Sequence, residues 1–219
     1  MDFKTADMKN LNSLPNNTKE VLLSLSETEI VTDFTFVGGS ALSIYLNHRK
    51  SEDIDLFTWK ETIDAEQILS SIKQHIGNNF TIESISNKQL DLRVKNVKLT
   101  FFANKWSELK NADPFVNNIK IATLDLLTAM KINTIFLRAK FRDYYDLYVI
   151  NKEVYSIEQM YAIIKKQMPQ INQKLFQMAL IFTDDILEES IIHLEPKYNV
   201  SINHIGKHFE KSVKEYLKI

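Results

Sequence analysis

Cysteine is absent from the 219-residue chain, which excludes a disulfide framework, a thiolate metal centre and a cysteine nucleophile together. Neither sign of charge is in excess. The chain has 27 Lys and Arg against 28 Asp and Glu, so it lacks the strongly basic character of a protein that coats nucleic acid, although a local basic groove stays open. No window approaches the roughly eighteen consecutive apolar residues of a membrane-spanning helix. The first residues, MDFKTADMKNLNSLPNN, lack the basic-then-apolar pattern of a secretory signal. The expectation is a soluble cytoplasmic protein without membrane contact. Glycine and proline are scarce, at four each, and no Pro/Gly/Ser-rich linker, internal repeat or low-complexity segment interrupts the chain.

What is present is a core-forming chain, 44% hydrophobic, whose patterning changes along its length. PNNTKEVLLSLSETE reads as a capped amphipathic helix and DFTFV as a short strand running into Gly38-Gly39. SALSIYLNH has helical spacing with Ser40 in the N-cap place, and EDIDLF alternates as a strand. ETIDAEQILSSIKQHI reads as a helix, and FTIESIS, QLDLRV and VKLTFF read as strands. From Ala122 onward the patterning is helical: a long apolar pair of helices, then SIEQMYAIIKKQM, INQKLFQMALIFTDDILEE and INHIGKHFEKSVKEYLK. The predicted class is α+β, with a mixed sheet and flanking helices over residues 1–120 and a helical C-terminal subdomain over 121–219.

Two of the four glycines stand side by side at Gly38 and Gly39. A Gly-Gly pair alone is most simply a turn, and two aspartates on one strand face are most simply its solvated side. Their combination is more specific. A strand, Gly38-Gly39-Ser40, a helix, and then Asp53 and Asp55 on one strand face would bring backbone N–H groups to a phosphate and hard oxygen ligands to Mg²⁺. Lys131 interrupts an apolar helix, where its ammonium either snorkels to the surface or reaches an anionic cleft. Asp143 and Asp146 share one helix side, where Asp143 could favour the helix start and Arg142 could pair with Asp146. His48 and Arg49 could contact phosphate or end a helix as cations. His204 and His208 lie one helical turn apart, a spacing that suits a metal but is commoner on a surface helix face.

The GGS-x12-DxD pattern, with HRKSEDIDLF around it, resembles the nucleotidyltransferase superfamily and, within it, the AbiEii/AbiGii toxin family of type IV toxin–antitoxin and abortive-infection modules. IATLDLLTAMKINTIFLRAKFRDYYDLYVI looks like that family's lysine helix followed by its Arg-Asp-x-x-Asp element, and ALIFTDDILEE resembles a later helical segment. The resemblance covers about residues 30–215. It implies a nucleotidyltransferase-like sheet and transfer of a nucleoside monophosphate from a nucleoside triphosphate to an acceptor hydroxyl. By the same resemblance Asp53 and Asp55 hold one or two Mg²⁺ ions and Gly39 and Ser40 meet the nucleotide; Gly38 and Arg49 are added to the nucleotide-binding set from their places beside these motifs. Lys131 meets the triphosphate, and Asp143 and Asp146 complete the site. tRNA as acceptor and a separately encoded antitoxin as partner are implied by the family, not by composition: residues 151–219 hold nine Lys and nine acidic residues.

One place departs from the family pattern. Where a third carboxylate is common, VKLTFF offers Thr100, and a hydroxyl is a poorer metal ligand and no general base at neutral pH. A QLDLRV–VKLTFF hairpin around Lys95-Asn96 would set Asp91 opposite Thr100, which makes Asp91 the candidate replacement ligand. Two other readings compete with the toxin-like transferase. One is a nucleotide-binding module that acts through protein contacts without transfer, and the other is a transferase with a small-molecule or protein acceptor.

Overall fold

The seven-stranded sheet begins with β1 (Thr35–Val37) and β2 (Ile54–Thr58) and gains β3 (Phe80–Ile85), β4 (Gln89–Val94) and β5 (Val97–Ala103). It is completed by β6 (Asp113–Val116) and β7 (Ile119–Ile121), in the order β3-β4-β5-β2-β1-β7-β6. This computed structural model describes residues 8–218. The segment read above as lacking a secretory signal lies partly outside the described residues. β1 runs antiparallel to β2 and parallel to β7, β2 runs parallel to β5, and the remaining neighbours are antiparallel, so the sheet is mixed.

Alternation along the strands separates two faces. Ile54, Leu56, Leu90, Leu92, Leu99 and Phe101 are fully buried on one of them. The same unit contains α1 (Asn16–Ser26), α2 (Gly38–Leu46) and α3 (Ala65–His75), whose apolar positions Val21, Leu22, Leu25, Ile44, Ile68 and Ile72 are also buried. Asp64 caps α3 by accepting from the Gln67 amide at 2.9 Å. The opposite face of the sheet presents Asp55, Thr100 and Asp91, paired strand to strand.

The chain divides into two compact units between Leu124 and Asp125. The second is helical: α4 (Leu124–Leu137) leads into α5 (Phe141–Glu153), α6 (Ile157–Gln167), α7 (Gln173–Ile181) and α8 (Ile202–Leu217). Tyr145, Tyr148, Phe176 and Phe209 are its largest fully buried side chains. Ser156 and Gln159 form a reciprocal capping box at the start of α6. No helix among the described residues is long and apolar enough to cross a membrane.

Three local expectations are corrected. The segment INQKLFQMALIFTDDILEE is helical only to Ile181, because Tyr144 donates to the carbonyls of Ala179 and Phe182 and closes the helix there. The predicted strands gain two more, β6 and β7, where Pro114 and the brevity of the strands weaken the alternation signal. Ser40 is not an N-cap, since α2 begins at Gly38 and Val37 takes the cap position.

Candidate active site

The site is built where β1 ends and α2 begins. Gly38 has φ +78°, in the left-handed region, and an added Cβ would lie 2.1 Å from Asp55 Oδ2. The carboxylate of Asp55 therefore lies directly against the backbone of the Gly-Gly turn. Register explains this, because Val37 on β1 pairs with Asp55 on β2. At Gly39 an added Cβ would meet Arg49 Nη2 at 2.8 Å and Ser51 Oγ at 3.1 Å. Arg49 is buried and donates from Nη1 to the Lys50 carbonyl at 2.9 Å. The two glycines thus make room for two different side chains. Ser51, buried beside Gly39, is a site neighbour that sequence reasoning missed; its place in the run between Arg49 and Asp53 was the available signal.

Ser40 is buried, and its hydroxyl donates to the backbone carbonyl of Asp53. That bond ties the first turn of α2 to the residue that opens the Asp-x-Asp. Asp53, immediately ahead of β2, is exposed, and Asp55 within β2 is half-buried. The donor set suits Mg²⁺, which takes hard oxygen ligands, usually keeps several waters and accepts phosphate oxygens. No group of three or more His, Asp or Glu among the described residues could hold a metal ion by itself. His48 is fully buried.

Asp91 lies one strand beyond Thr100. The hairpin has the expected register, Val94 opposite Val97, Leu92 opposite Leu99 and Asp91 opposite Thr100. Its turn residues Lys95 and Asn96 both have positive φ, 48° and 66°, as a two-residue type I′ turn requires. Thr100 in turn pairs with Asp55. The carboxylate of Asp91 accepts from Thr100 at 2.7 Å on Oδ1, and from Ser84 at 2.9 Å and Gln89 at 2.8 Å on Oδ2. Burial alone would raise its pKa, but these hydrogen bonds and the charge of Lys98 outweigh burial and hold it below the usual carboxylate value. Both oxygens are engaged, and Thr100 stands between Asp91 and Asp55. Asp91 is thus a hydrogen-bonded carboxylate one strand farther from Asp55 than Thr100.

In the helical unit, Lys131 on α4 sits between two carboxylates of α5. Its Nζ is 3.0 Å from Asp143 Oδ1 and 2.9 Å from Asp146 Oδ2. Asp146 is completely buried and the Asp143 side chain nearly so, so Lys131 neither snorkels to solvent nor stands apart from these acids. Arg142 lies 3.5 Å from Glu189. His208 is half-buried, hydrogen-bonded to Asn151 at 2.8 Å and packed edge-on against Tyr148 at 4.8 Å, not set out on a surface helix face.

Comparison with known proteins agrees with this architecture. An uncharacterized protein of Aquifex aeolicus (strain VF5) is 28% identical over 213 residues, covering 95% of this chain and 100% of the relative. The fold matches a Helicobacter pylori protein assigned to the nucleotidyltransferases, with TM-score 0.55, 17% identity and coverage of 97% of this chain and 98% of that one. It also matches MenT4, a nucleotidyltransferase toxin from Mycobacterium tuberculosis H37Rv, with TM-score 0.51, 14% identity and coverage of 94% and 87%. The family model described as nucleotidyl transferase AbiEii toxin, type IV toxin–antitoxin system, matches residues 20–218. The chain belongs to the AbiEii family of nucleotidyltransferase toxins.

Proposed function

We propose that the protein transfers a nucleoside monophosphate from a nucleoside triphosphate to a hydroxyl of an RNA acceptor, with tRNA the acceptor class the family favours. The acceptor oxygen bonds to the α-phosphorus, the bond to the bridging oxygen of pyrophosphate breaks, and the hydroxyl proton passes to solvent. The observation that carries this reading is the seat of Asp55 against Gly38. It sets an anionic ligand beside a backbone turn at the start of a helix, whose N–H groups favour phosphate.

In this reading Asp53 and Asp55 hold Mg²⁺, which would neutralise the triphosphate. Gly38 and Gly39 let the nucleotide approach the backbone, and Arg49 adds positive charge near the turn. Ser40 serves by fixing the Asp53 carbonyl. Lys131, Asp143 and Asp146 are assigned to the same reaction by the family resemblance, and a cytoplasmic setting with an antitoxin as its antagonist is proposed on that ground too. The test is incubation of the purified protein, and of an Asp53→Asn, Asp55→Asn variant, with Mg²⁺, each α-labelled nucleoside triphosphate and total cellular RNA. Label in RNA with the parent alone supports the proposal; label in protein or small molecules redirects the acceptor.

A second reading is favoured by one feature, the hydroxyl of Thr100 in the strand position beside Asp55. A nucleotide-binding module without transfer would bind nucleotide in a Mg²⁺-dependent way, lose that binding in the double variant and label nothing.

A further inference from the structure

The face of the sheet that carries Asp55 contains a polar row of which the proposed reaction uses Asp55 alone. Asp55 on β2 pairs with Thr100 on β5, Thr100 with Asp91 on β4, and Asp91 with Ser84 on β3. Partners in register share a sheet face, so one line of side chains crosses four strands. Two members of the row are nearly sequestered from water, Thr100 at 8% and Asp91 at 7% exposure. A buried carboxylate is costly unless hydrogen bonds satisfy it, and Asp91 has three donors.

The polarity of this row is determined by elimination. An ionised carboxylate is an acceptor only, so the 2.7 Å bond between the two side chains carries the single hydroxyl proton of Thr100 toward Asp91 Oδ1. Thr100 Oγ1 is left with lone pairs alone for any other partner. A charge-assisted bond of this kind is shorter and stronger than a neutral one, and by polarising the hydroxyl it makes that oxygen a better acceptor.

We infer that Thr100 is the hydrogen-bond acceptor that orients the attacking acceptor hydroxyl beside Asp55, and that Asp91 is a positioning residue acting only through Thr100. This inference rests on the nucleotidyl transfer proposed above. No proton is transferred to Thr100 or Asp91: the incoming O–H donates to Thr100 Oγ1, which aims its oxygen for attack, and loses its proton to solvent as the bond to phosphorus forms. Orientation of this kind acts on kcat and leaves nucleotide binding alone.

The test is a double-mutant cycle with Asp91→Asn and Thr100→Val, both close in shape to the parent, assayed with total cellular RNA and the nucleoside triphosphate that labels it. Nucleotide affinity is measured in parallel by equilibrium binding, and folding by thermal unfolding. Thr100→Val is expected to lower kcat roughly 10- to 100-fold and Asp91→Asn roughly tenfold, with nucleotide affinity unchanged. Asp91→Asn added to Thr100→Val is expected to cost no further activity, since its route is already removed. Thr100→Ser, which keeps the hydroxyl, is expected to stay within about threefold of the parent and serves if the valine variant unfolds.

Three results would overturn the inference. One is an equal loss from Asp91→Asn in both backgrounds, the pattern of a purely structural residue. Another is full activity of Asp91→Asn, and the third is nucleotide affinity falling in step with kcat. A parent protein that transfers label to no acceptor overturns the transfer reading itself, and this inference with it.

Discussion

The Asp55 carboxylate occupies the space that a side chain at position 38 would need: an added Cβ on Gly38 would fall 2.1 Å from Asp55 Oδ2. The glycine is therefore required twice, once for its φ of +78° and once for the carboxylate lying against it. Gly38→Ala is expected to cost about 1–3 kcal/mol in backbone strain and to displace Asp55. Transfer should fall to background in the labelling assay even where the variant folds. Gly39→Ala meets the end of the Arg49 side chain instead; it should retain more activity and weaken nucleotide binding, measured by equilibrium titration.

Lys131 pairs with two buried carboxylates, and removal of the cation takes its charge from both. Lys131→Met is expected to destabilise the helical unit by about 3–5 kcal/mol, the range for breaking one side of a buried pair. Chemical denaturation of parent and variant measures it. The triple replacement Lys131→Met, Asp143→Asn, Asp146→Asn should recover much of the lost stability without recovering transfer. A triple variant as unstable as Lys131→Met would show that charge imbalance is not the cause.

His208 gives the helical unit a pH dependence of definite sign. Burial, then the charges of Lys152 and His204, push its pKa below the ordinary imidazole value, with Glu215 opposing and Lys211 adding to the shift. The folded state thus prefers the neutral ring, whose N–H can donate to Asn151 Oδ1 at 2.8 Å. Stability from this group is complete above about pH 6.5 and is lost as pH falls from there through the folded value. Denaturation curves between about pH 5 and pH 8 should show the decline, and His208→Gln should flatten it.

Most of the architecture was legible because periodicity and punctuation coincide: Pro15 before α1, helical spacing in α2, and alternation in β2. The Asp91–Thr100 pairing could be read from a two-residue turn because register propagates two residues at a time along a hairpin. What stayed hidden depended on three-dimensional closeness. Nothing in Gly39 announces that Arg49 and Ser51 fill the space beside it. Nothing local in FTDDILEE says that Tyr144 will end α7 at Ile181. The sequence pairs Asp91 with Thr100, but that Ser84 and Gln89 also donate to its carboxylate shows only in three dimensions.

Ser40 supplies the remaining prediction, because two roles for its hydroxyl lead to different measurements. In a phosphate-binding role, Ser40→Ala would weaken nucleotide affinity directly while the Asp-x-Asp stayed in place. The hydroxyl instead donates to the Asp53 carbonyl from a buried position, so the alanine variant loses the tie between α2 and the opening of β2. One buried hydrogen bond contributes about 0.5–1.5 kcal/mol, and an acceptor left unsatisfied costs about 1–3 kcal/mol. The expected result is modest destabilisation, weaker Mg²⁺-dependent stimulation of transfer, and little change in nucleotide affinity measured without Mg²⁺. Loss of that metal-free affinity, with the Mg²⁺ requirement unchanged, would return Ser40 to the phosphate.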